Sequence, residues 1–487
     1  MRPEAAMSSS RGSSYTEGRS ASGRTGMTIA ETLATRIAAV TYEALPEDAR
    51  HWAKVAIMDT VGCILAGAEE PCARIAGQVA TIGGASGPCV VFGTPDRVGP
   101  MDAAAINGTA AHALDYDDCS DTLGGHPSAP ILPALFALAE TRATNGRDFI
   151  AAYVAGWETE TRIARGVNFH HYEKGWHPTA TLGVFGAAAA CAKLLGLSVD
   201  KTAKALALAA TFSSGLKANF GTMTKPLHVG QAARNGLYAA LLASEDFTSS
   251  PDTIEHRQGF LRVFNGEGNF VTDLIVAEWG APWDIVDPGL AIKQYPCCGS
   301  THPAIDAMLM LVRENDLTPA MVTRIESQTH KRRFAHTNRP DPRGALDAKF
   351  SVQYCLARAL VSREVLIQHF EDGSYDEPAV RDVLSRVVST AWPDRQMDLS
   401  EHFGADVQIT LTNGRVLTRS VPRPLGRGPT IPLPPALLRG KFMDCAQRAL
   451  TADASNRLHG MLDRLETVNR MRTLTEATIP RATLAAE

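Results

Sequence analysis

The sequence predicts a mostly α-helical fold, in which both ends of the chain form a large all-helical domain and a smaller α+β lid domain is inserted between them. Helical signals recur as far as about residue 290, strand signals follow, and helical sequence returns near residue 436. The 487 residues also exceed what one hydrophobic core usually supports, which favours two domains. We therefore predict a helical domain from residues 27–290 and 426–487, and a lid from residues 291–425.

Residues 1–26 are rich in Ser, Gly and Arg and contain almost nothing to bury, so we expect a disordered tail ahead of Met27. They lack the apolar core of a secretion signal. The chain also has no uninterrupted apolar run of about 18 residues, the length that a membrane span needs. We expect a soluble protein that does not contact membranes.

The first half contains a series of helix boundaries. Pro46, followed by two acidic residues, predicts the start of a helix that ends near Gly67. Residues 149–167 and 181–195 form two more helical stretches, Gly196 ends the second, and Ser198 is placed to cap the next helix. Frequent alanine favours helix formation throughout this region and predicts an all-helical core.

The pattern changes in the second half. Residues 324–329 resemble a strand and residues 349–360 a helix, while Val407, Ile409 and Leu411 alternate with polar residues ahead of a tight Asn413-Gly414 turn. Val416 then begins a returning strand. A proline-rich passage, residues 421–435, leads into helical sequence at residues 436–465, which we expect to pack against the first domain.

Composition excludes several classes of function. The net charge of -4 and the pI near 6.4 give no reason to expect nucleic acid as a partner. The nine cysteines are scattered and contain no C-x2-C pair, which argues against zinc and iron-sulfur sites and suits reduced thiols in the cytoplasm. Any anionic ligand must therefore be bound by a local cluster of cations.

Residues 107–133 place several ionisable side chains inside otherwise apolar helical sequence. These are His112, Asp115, Asp117, Asp118 and His126. Burying an unpaired charge costs several kcal/mol or forces the group to become neutral. We therefore expect these side chains to line a cleft.

Three further polar segments interrupt helical sequence, and each has an ordinary structural alternative. His177 in Gly175-Trp-His-Pro178 could merely cap a turn, and Lys225 and His228 could be solvated in a loop before a helix that begins at Gln231. Residues 293–302 contain adjacent thiols, of which Cys297 is expected to be a packing residue. Taken together, however, these segments supply histidines and a lysine, which suit acid-base chemistry on one anionic substrate.

The chain resembles the MmgE/PrpD family over about residues 28–450. The following motifs carry the resemblance: Asp59-Thr-Val-Gly62 with Ala66-Gly67, Asn107-Gly108 through His112, Asp115-Tyr-Asp-Asp118, His126-Pro-Ser128, Gly175-Trp-His-Pro178, Thr224-Lys-Pro-Leu-His228 with Gly230, Tyr295-Pro-Cys-Cys-Gly299, and Lys349-Phe-Ser351. The resemblance implies a helical domain built from both chain ends, an α+β lid, a homodimer, and catalysis without a metal or organic cofactor.

The resemblance also implies an active site. The residues that match catalytic positions are Asp115, His126, His177 and Lys225, and the candidate substrate-binding residues are His112, Cys119, His228, Cys298 and His302. The family includes 2-methylcitrate dehydratase, cis-aconitate decarboxylase and iminodisuccinate epimerase. Lys225 and a protonated histidine would stabilise charge that develops beside a substrate carboxylate. A second histidine, oriented by Asp115, would transfer the other proton.

From these residues we predict a cofactor-independent hydro-lyase that dehydrates a hydroxy polycarboxylate resembling 2-methylcitrate. An epimerase acting on an imino-diacid is the nearest enzymatic alternative, because both reactions begin with proton removal beside a carboxylate. A cis-aconitate decarboxylase is the third enzymatic possibility. The alternative of another class is a non-catalytic protein that binds polycarboxylates. The joint presence of Asp115, His126, His177 and Lys225 argues against it.

Overall fold

The computed structural model describes residues 26–371, 373–393 and 403–480. The predicted tail therefore lies outside the described residues, apart from Gly26. The described part of the chain is mostly helical with small sheets, as the sequence predicts. The finer domain boundaries remain a prediction.

Helices make up nearly all of the regular structure before residue 290. They are α1 (Ile29–Ala39), α2 (Glu47–Gly67), α3 (Pro71–Ile82), α4 (Pro100–Ala113), α5 (Ser128–Glu140), α6 (Gly146–Val167), α7 (His170–Glu173), α8 (Pro178–Thr181), α9 (Gly183–Leu195), α10 (Val199–Phe212), α11 (Thr224–Ser244), α12 (Phe260–Asn265) and α13 (Thr272–Val276). Short strands accompany them: β1 (Cys89–Val90), β2 (Arg97–Val98), β3 (Cys119–Ser120) and β4 (Leu290–Ala291). β3 and β4 pair antiparallel, with Cys119 opposite Ala291.

The following region mixes helices with a four-stranded sheet of order β6-β5-β7-β8. Its helices are α14 (His302–Asn315), α15 (Lys331–Thr337), α16 (Ala345–Lys349), α17 (Val352–Ser362) and α18 (Pro378–Leu384), and its strands are β5 (Val322–Thr329), β6 (Val387–Ala391), β7 (Ala405–Leu411) and β8 (Val416–Val421). The chain ends in α19 (Pro435–Ala446), α20 (Ala452–Asp463) and α21 (Met471–Glu476). The predicted turn between β7 and β8 is present, and Gly414 adopts a positive φ of 81°, which glycine tolerates without steric cost.

Buried side chains form two large clusters. One cluster runs from Ile29 to Ile292 and also contains residues from Leu433 to Leu474, so the last helices pack on the first ones. The other runs from Tyr295 to Val421 and joins α14 and α17 to the sheet. The candidate functional residues lie where segments of both clusters meet.

Residues Pro178–Leu195 form a stretch that is long and apolar enough to cross a membrane, with a mean hydropathy of 1.3. Most of this stretch, 83%, is buried inside the protein. Burial of this extent is typical of a core helix. The stretch is also divided into α8 and α9 at Leu182, whereas the sequence predicts one helix from Thr181.

The prediction of a loop before Gln231 is wrong, because α11 begins at Thr224. Lys225 and His228 therefore lie on the first two turns of that helix. Pro226 is compatible with this start, since the first residues of a helix need no backbone N–H partner. The helical positions fix both side chains on a rigid element, from which Lys225 contacts Asp115 and His228 contacts His177.

Helices α4 and α11 cross in close contact at Gly108 and Gly230. A Cβ atom added to Gly230 would lie 2.2 Å from the carbonyl oxygen of Ala105 and 2.3 Å from Oγ1 of Thr109. One added to Gly108 would lie 2.9 Å from Cα of Gly230. This approach brings the C-terminal end of α4 next to the first turns of α11, which places His112 near Lys225.

We predict that Gly230→Ala will lower the melting temperature by several degrees, because the new methyl group would overlap backbone atoms of α4. Overpacking of this kind costs about 1–3 kcal/mol. Gly77→Ala in α3 is the matched control, since nothing lies within 4 Å of its added Cβ. That variant should be as stable as the wild type or slightly more stable, since alanine favours helix formation. Equal melting temperatures for the two variants would contradict the packing described here.

Candidate active site

The segment that follows α4 makes an irregular turn before α5. Asp115 adopts a left-handed conformation with φ of 55°, which is uncommon for a residue other than glycine. The chain then forms β3, turns through Gly124, and reaches His126 just before α5. The turn directs Asp115, Asp117 and His126 to one place.

Three lysines hold this turn by its backbone. The carbonyl oxygens of Leu114, Asp115 and Tyr116 accept hydrogen bonds from Nζ of Lys349 at 2.8 Å, of Lys293 at 2.5 Å and of Lys441 at 2.8 Å. The three lysines come from three different segments that follow the first helical region. Their charge-assisted bonds fix a turn that would otherwise be free to relax.

Asp117 bridges two histidines. Its carboxylate lies 2.8 Å from Nδ1 of His112 and 3.2 Å from Nδ1 of His126. Burial by itself would raise the pKa of Asp117, but the two histidines lower it well below its usual value. Asp117 is therefore a buried carboxylate that stays ionised and orients both rings.

Asp115 is the centre of a second ionic contact. Its Oδ1 lies 2.7 Å from Nζ of Lys225 and its Oδ2 lies 2.9 Å from Nζ of Lys293, while Nε2 of His126 is 3.6 Å from Oδ1. Burial would raise the pKa of Asp115, yet the two lysines lower it well below its usual value. Burial would lower the pKa of Lys293, but Asp115 outweighs it and raises that pKa.

His177 lies next to this cluster, between His112 and His228. Its ring centre is 5.7 Å from that of His112, and its Nδ1 is 3.3 Å from Nδ1 of His228. Backbone N–H groups of Ala180 and Thr181 donate to the His177 carbonyl oxygen, so the residue begins α8. The ring also contacts Phe220, whose centre is 4.9 Å away.

The environments of His126 and His177 drive their pKa values in opposite directions. Burial would lower the pKa of His126, but the negative charges of Asp117 and Cys119 raise it to about 10. Burial, together with the positive charge of Lys225, lowers the pKa of His177 well below its usual value. At neutral pH the site therefore holds a protonated histidine and a neutral one. Such a pair is typical of acid-base catalysis.

Four of these side chains could also be considered as metal ligands, because their donor atoms lie within 4.8 Å of one another. They are His112, Asp115, Asp117 and His126. Two ammonium groups already contact Asp115, and a cation bound there would be repelled at a distance of a few ångströms. Asp117 already accepts from two histidines. The donor set is therefore better suited to proton transfer and anion binding than to a metal ion.

The structure brings together most of the predicted site residues. Asp115 contacts both His126 and Lys225, and His177 lies beside His112 and His228 next to them. Cys119 lies with its sulfur 3.8 Å from Nδ1 of His126. Burial would raise the pKa of Cys119, but His126 and Lys293 lower it to about 7.

The other two predicted residues, Cys298 and His302, belong to the 293–302 loop. Cys298 is half-buried, and its N–H donates to the carbonyl oxygen of Lys349. His302 begins α14, where its ring packs against Tyr295 at 5.2 Å and its Nε2 lies 3.2 Å from the carbonyl oxygen of Cys297. Among the described residues, no contact joins His302 to the catalytic cluster. A role in substrate binding for either residue stays a prediction.

Sequence reasoning did not select Lys293 and Asp117, which prove central to the geometry. Lys293 stands 178 residues from Asp115 and two residues before the Tyr295-Pro motif, so no local pattern marks it. Asp117 was expected only as one of several acids lining a cleft, yet it is completely buried. A search for lysines that flank each recognised motif would have found the first of them.

Comparison with known proteins agrees with the family resemblance. A family model described as the MmgE/PrpD N-terminal domain matches residues 31–273, and one described as the MmgE/PrpD C-terminal domain matches residues 295–467. Together they cover most of the chain, including every catalytic residue predicted above.

Curated relatives are 29–30% identical to this chain over most of its length. Cis-aconitate decarboxylase of Homo sapiens is 30% identical over 405 residues, which is 80% of this chain and 82% of the relative. Cis-aconitate decarboxylase of Aspergillus terreus is 30% identical over 404 residues, with 78% and 82% covered. A cis-aconitate decarboxylase-like protein of Aspergillus oryzae, oryM, is 29% identical over 446 residues, with 87% and 91% covered.

Proposed function

Because the chain belongs to the MmgE/PrpD family, we propose that it is a lyase that acts on a small polycarboxylate by proton transfer at a carbon beside a carboxylate. The observation that carries this proposal is the pair of histidines with opposed pKa shifts, beside two lysines that attract an anion. This chemistry uses only groups that the chain itself supplies. A preorganised cationic site of this kind stabilises negative charge as it develops.

The first candidate reaction is decarboxylation of a cis-aconitate-like acid, which the names of the relatives favour. The imidazolium of His126 would give its proton to the CH carbon of the alkene. The electrons of the alkene form the new C–H bond, and those of the bond between the CH₂ carbon and its carboxylate form the shifted double bond as CO₂ leaves. Lys225 would stabilise the carboxylate beside the carbon that accepts the proton.

The second candidate is dehydration of a hydroxy acid resembling 2-methylcitrate, the reaction that the sequence predicts. The neutral ring of His177 favours it, since dehydration needs a base as well as an acid. His177 would remove the proton beside a carboxylate, and the electrons of that C–H bond would form the alkene. The departing hydroxyl group would take a proton from His126 and leave as water.

A proton NMR assay in deuterated water tests the proposal. The purified protein is incubated separately with cis-aconitate, 2-methylcitrate and iminodisuccinate, each beside a Lys225→Ala control. Itaconate carrying deuterium at its methylene carbon would establish decarboxylation. A new alkene methyl signal from 2-methylcitrate would establish dehydration.

The other outcomes are also informative. Deuterium exchange with inversion of configuration in iminodisuccinate would show that the protein is an epimerase. If none of these substrates changes while thermal melting shows that they bind, the protein would be a non-catalytic binder and the lyase proposal would be wrong.

The pKa shifts also predict the pH dependence of kcat/KM. A reaction that needs the imidazolium of His126 is lost as pH rises through its pKa of about 10. Asp117→Asn removes the main charge that holds this proton, so the loss should occur at lower pH, nearer the ordinary histidine value of about 6.5. Asp118→Asn is the matched control, because Asp118 is an equally buried carboxyl in the same turn whose partner is Ser128 and not His126. If kcat/KM falls over the same alkaline pH range in Asp117→Asn and in the wild type, His126 is not the acid.

A further inference from the structure

Two arginines that the proposed chemistry does not use lie beside the catalytic cluster. The guanidinium carbon of Arg333 is 4.3 Å from the centre of the Phe403 ring, and that of Arg427 is 4.0 Å from the same ring. Two like charges therefore gather around one aromatic side chain. Burial, together with the charge of Arg427, lowers the pKa of Arg333 to about 10, which still leaves it charged at neutral pH.

Arg427 is connected to the catalytic residues through adjacent backbone segments. The backbone of Arg427 forms an antiparallel β-bridge with Ala291, and Ala291 pairs on its other side with Cys119 in the β3–β4 ladder. The sulfur of Cys119 in turn contacts His126. Neighbouring strands are about 4.8 Å apart, so Arg427 lies two strand spacings from Cys119. Its positive charge is also among the causes that lower the pKa of Cys119. Arg427 therefore stands at the edge of the catalytic cluster.

Arg427 already has one anionic partner, since its guanidinium donates to the carboxylate of Asp121. Asp121 lies in the turn between β3 and His126. A Cβ added to Gly299 would lie 3.8 Å from Nη1 of Arg427, so this guanidinium also borders the 293–302 loop. Arg427 thus spans the gap between the hairpin that leads to His126 and the loop that carries Cys298.

Of the two arginines, Arg333 is the one without an acidic partner in the described part of the chain. Its Nη1 donates to Oγ of Ser300 at 3.1 Å, and its buried Nε has no hydrogen-bond partner among the described residues. Within the same part of the chain, no acidic side chain forms an ion pair with it. A half-buried guanidinium with spare donors and no counterion is well suited to bind a carboxylate.

The net charge of the site also favours binding of a carboxylate at these arginines. In the catalytic cluster, the positive charges are the two lysines and protonated His126, and the negative charges are ionised Asp115 and Asp117 together with the Cys119 thiol, whose pKa is about 7. The net positive charge of the cluster is therefore at most one. A substrate with three carboxylates carries more negative charge than this cluster can neutralise. Arg333, Arg427 and Asp121 add one more net positive charge, on the 293–302 side of the site.

We propose that Arg333 and Arg427 form a second carboxylate subsite, which binds a carboxylate of the substrate that is remote from the carbon undergoing proton transfer. This inference rests on the proposed function, because it assigns the substrate class as an acid with three carboxylates. Ser300 holds Arg333 in place, and Phe403 supports both guanidinium groups. The subsite adds to the affinity for the substrate and takes no part in the proton transfer.

Isothermal titration with propane-1,2,3-tricarboxylate tests the subsite without requiring turnover. Arg333→Gln should raise the dissociation constant of this ligand at least about tenfold, as expected when a charge-assisted contact is lost. With the tricarboxylate substrate that the wild type turns over, KM should rise by a similar factor, whereas kcat should change less than about threefold. This separation of KM from kcat distinguishes a binding residue from general damage to the site.

Arg332→Gln is the matched control, because Arg332 is the exposed neighbour in α15 and pairs with Glu173 at 3.5 Å. The control should bind the tricarboxylate within about twofold of the wild type, since a distant surface charge is largely screened. If Arg333→Gln melts at a lower temperature than the control, Arg333→Lys replaces it. That variant keeps the charge but loses the planar donor pair, and it should still weaken binding several-fold.

The two proposals fail in different ways. If the wild type binds the tricarboxylate and the Arg333 variants bind it equally well, the subsite is wrong and the proposed function stands. If the wild type neither binds the tricarboxylate nor turns over any tricarboxylate, the substrate class is wrong, and the subsite fails with it.

Discussion

Replacing His126 by glutamine should lower kcat by about 10²–10⁴-fold, the range expected when a positioned general acid is lost. The side chain lies 3.2 Å from Asp117 and 3.6 Å from Asp115, which hold its proton at neutral pH. Glutamine retains a hydrogen-bond donor but cannot release a proton. The fold should be preserved, because glutamine is close to histidine in size and polarity.

His51→Gln provides the matched control for this measurement. His51 is exposed on α2 and contacts Trp52, outside the catalytic cluster. Its kcat should equal that of the wild type within about twofold, because exposed substitutions away from functional groups have small effects. A His126→Gln enzyme with near-normal turnover would exclude His126 as the acid.

Replacing Lys225 by methionine should lower kcat/KM by about 10²–10³-fold, since a preorganised charge that stabilises the transition state is removed. Methionine keeps the length of the side chain without its charge. Asp115 would still contact Lys293, so the turn that carries it should persist. The loss should therefore appear in catalysis and not in the melting temperature.

Lys204→Met is the corresponding control, because Lys204 pairs with exposed Asp200 on the outer face of α10. Surface pairs of this kind contribute little to stability. The control should behave like the wild type in both turnover and melting. Equal activity of the Lys225 and Lys204 variants would remove Lys225 from the mechanism.

The sequence predicts the helical fold well, because long amphipathic or alanine-rich stretches with clear caps leave little choice of structure. The observed bounds of α2 and α6 lie within a few residues of the predicted ones. The prediction places the start of α11 too late, at Gln231, because it assigns Lys225 and His228 to a polar loop. Their polarity reflects the site that they face and does not interrupt the helix.

Only part of the site can be predicted from the sequence. The clustering of Asp115, His126 and Lys225 follows from motifs that the family resemblance identifies. The buried carboxylate of Asp117 and the lysine contacts to the Asp115 turn do not, because Lys293, Lys349 and Lys441 reach it from 178, 235 and 325 residues away. Contacts between such distant segments depend on how the helices pack and leave no local sequence pattern.

At neutral pH His126 is protonated and His177 is neutral, and NMR of ¹⁵N-histidine-labelled protein measures both states directly. The His126→Gln and His177→Gln variants would assign the two resonances. The account predicts an imidazolium at His126 that persists to about pH 10, and a neutral ring at His177 throughout the range above pH 6.5. Titration of both rings near the ordinary pKa of about 6.5 would contradict the account.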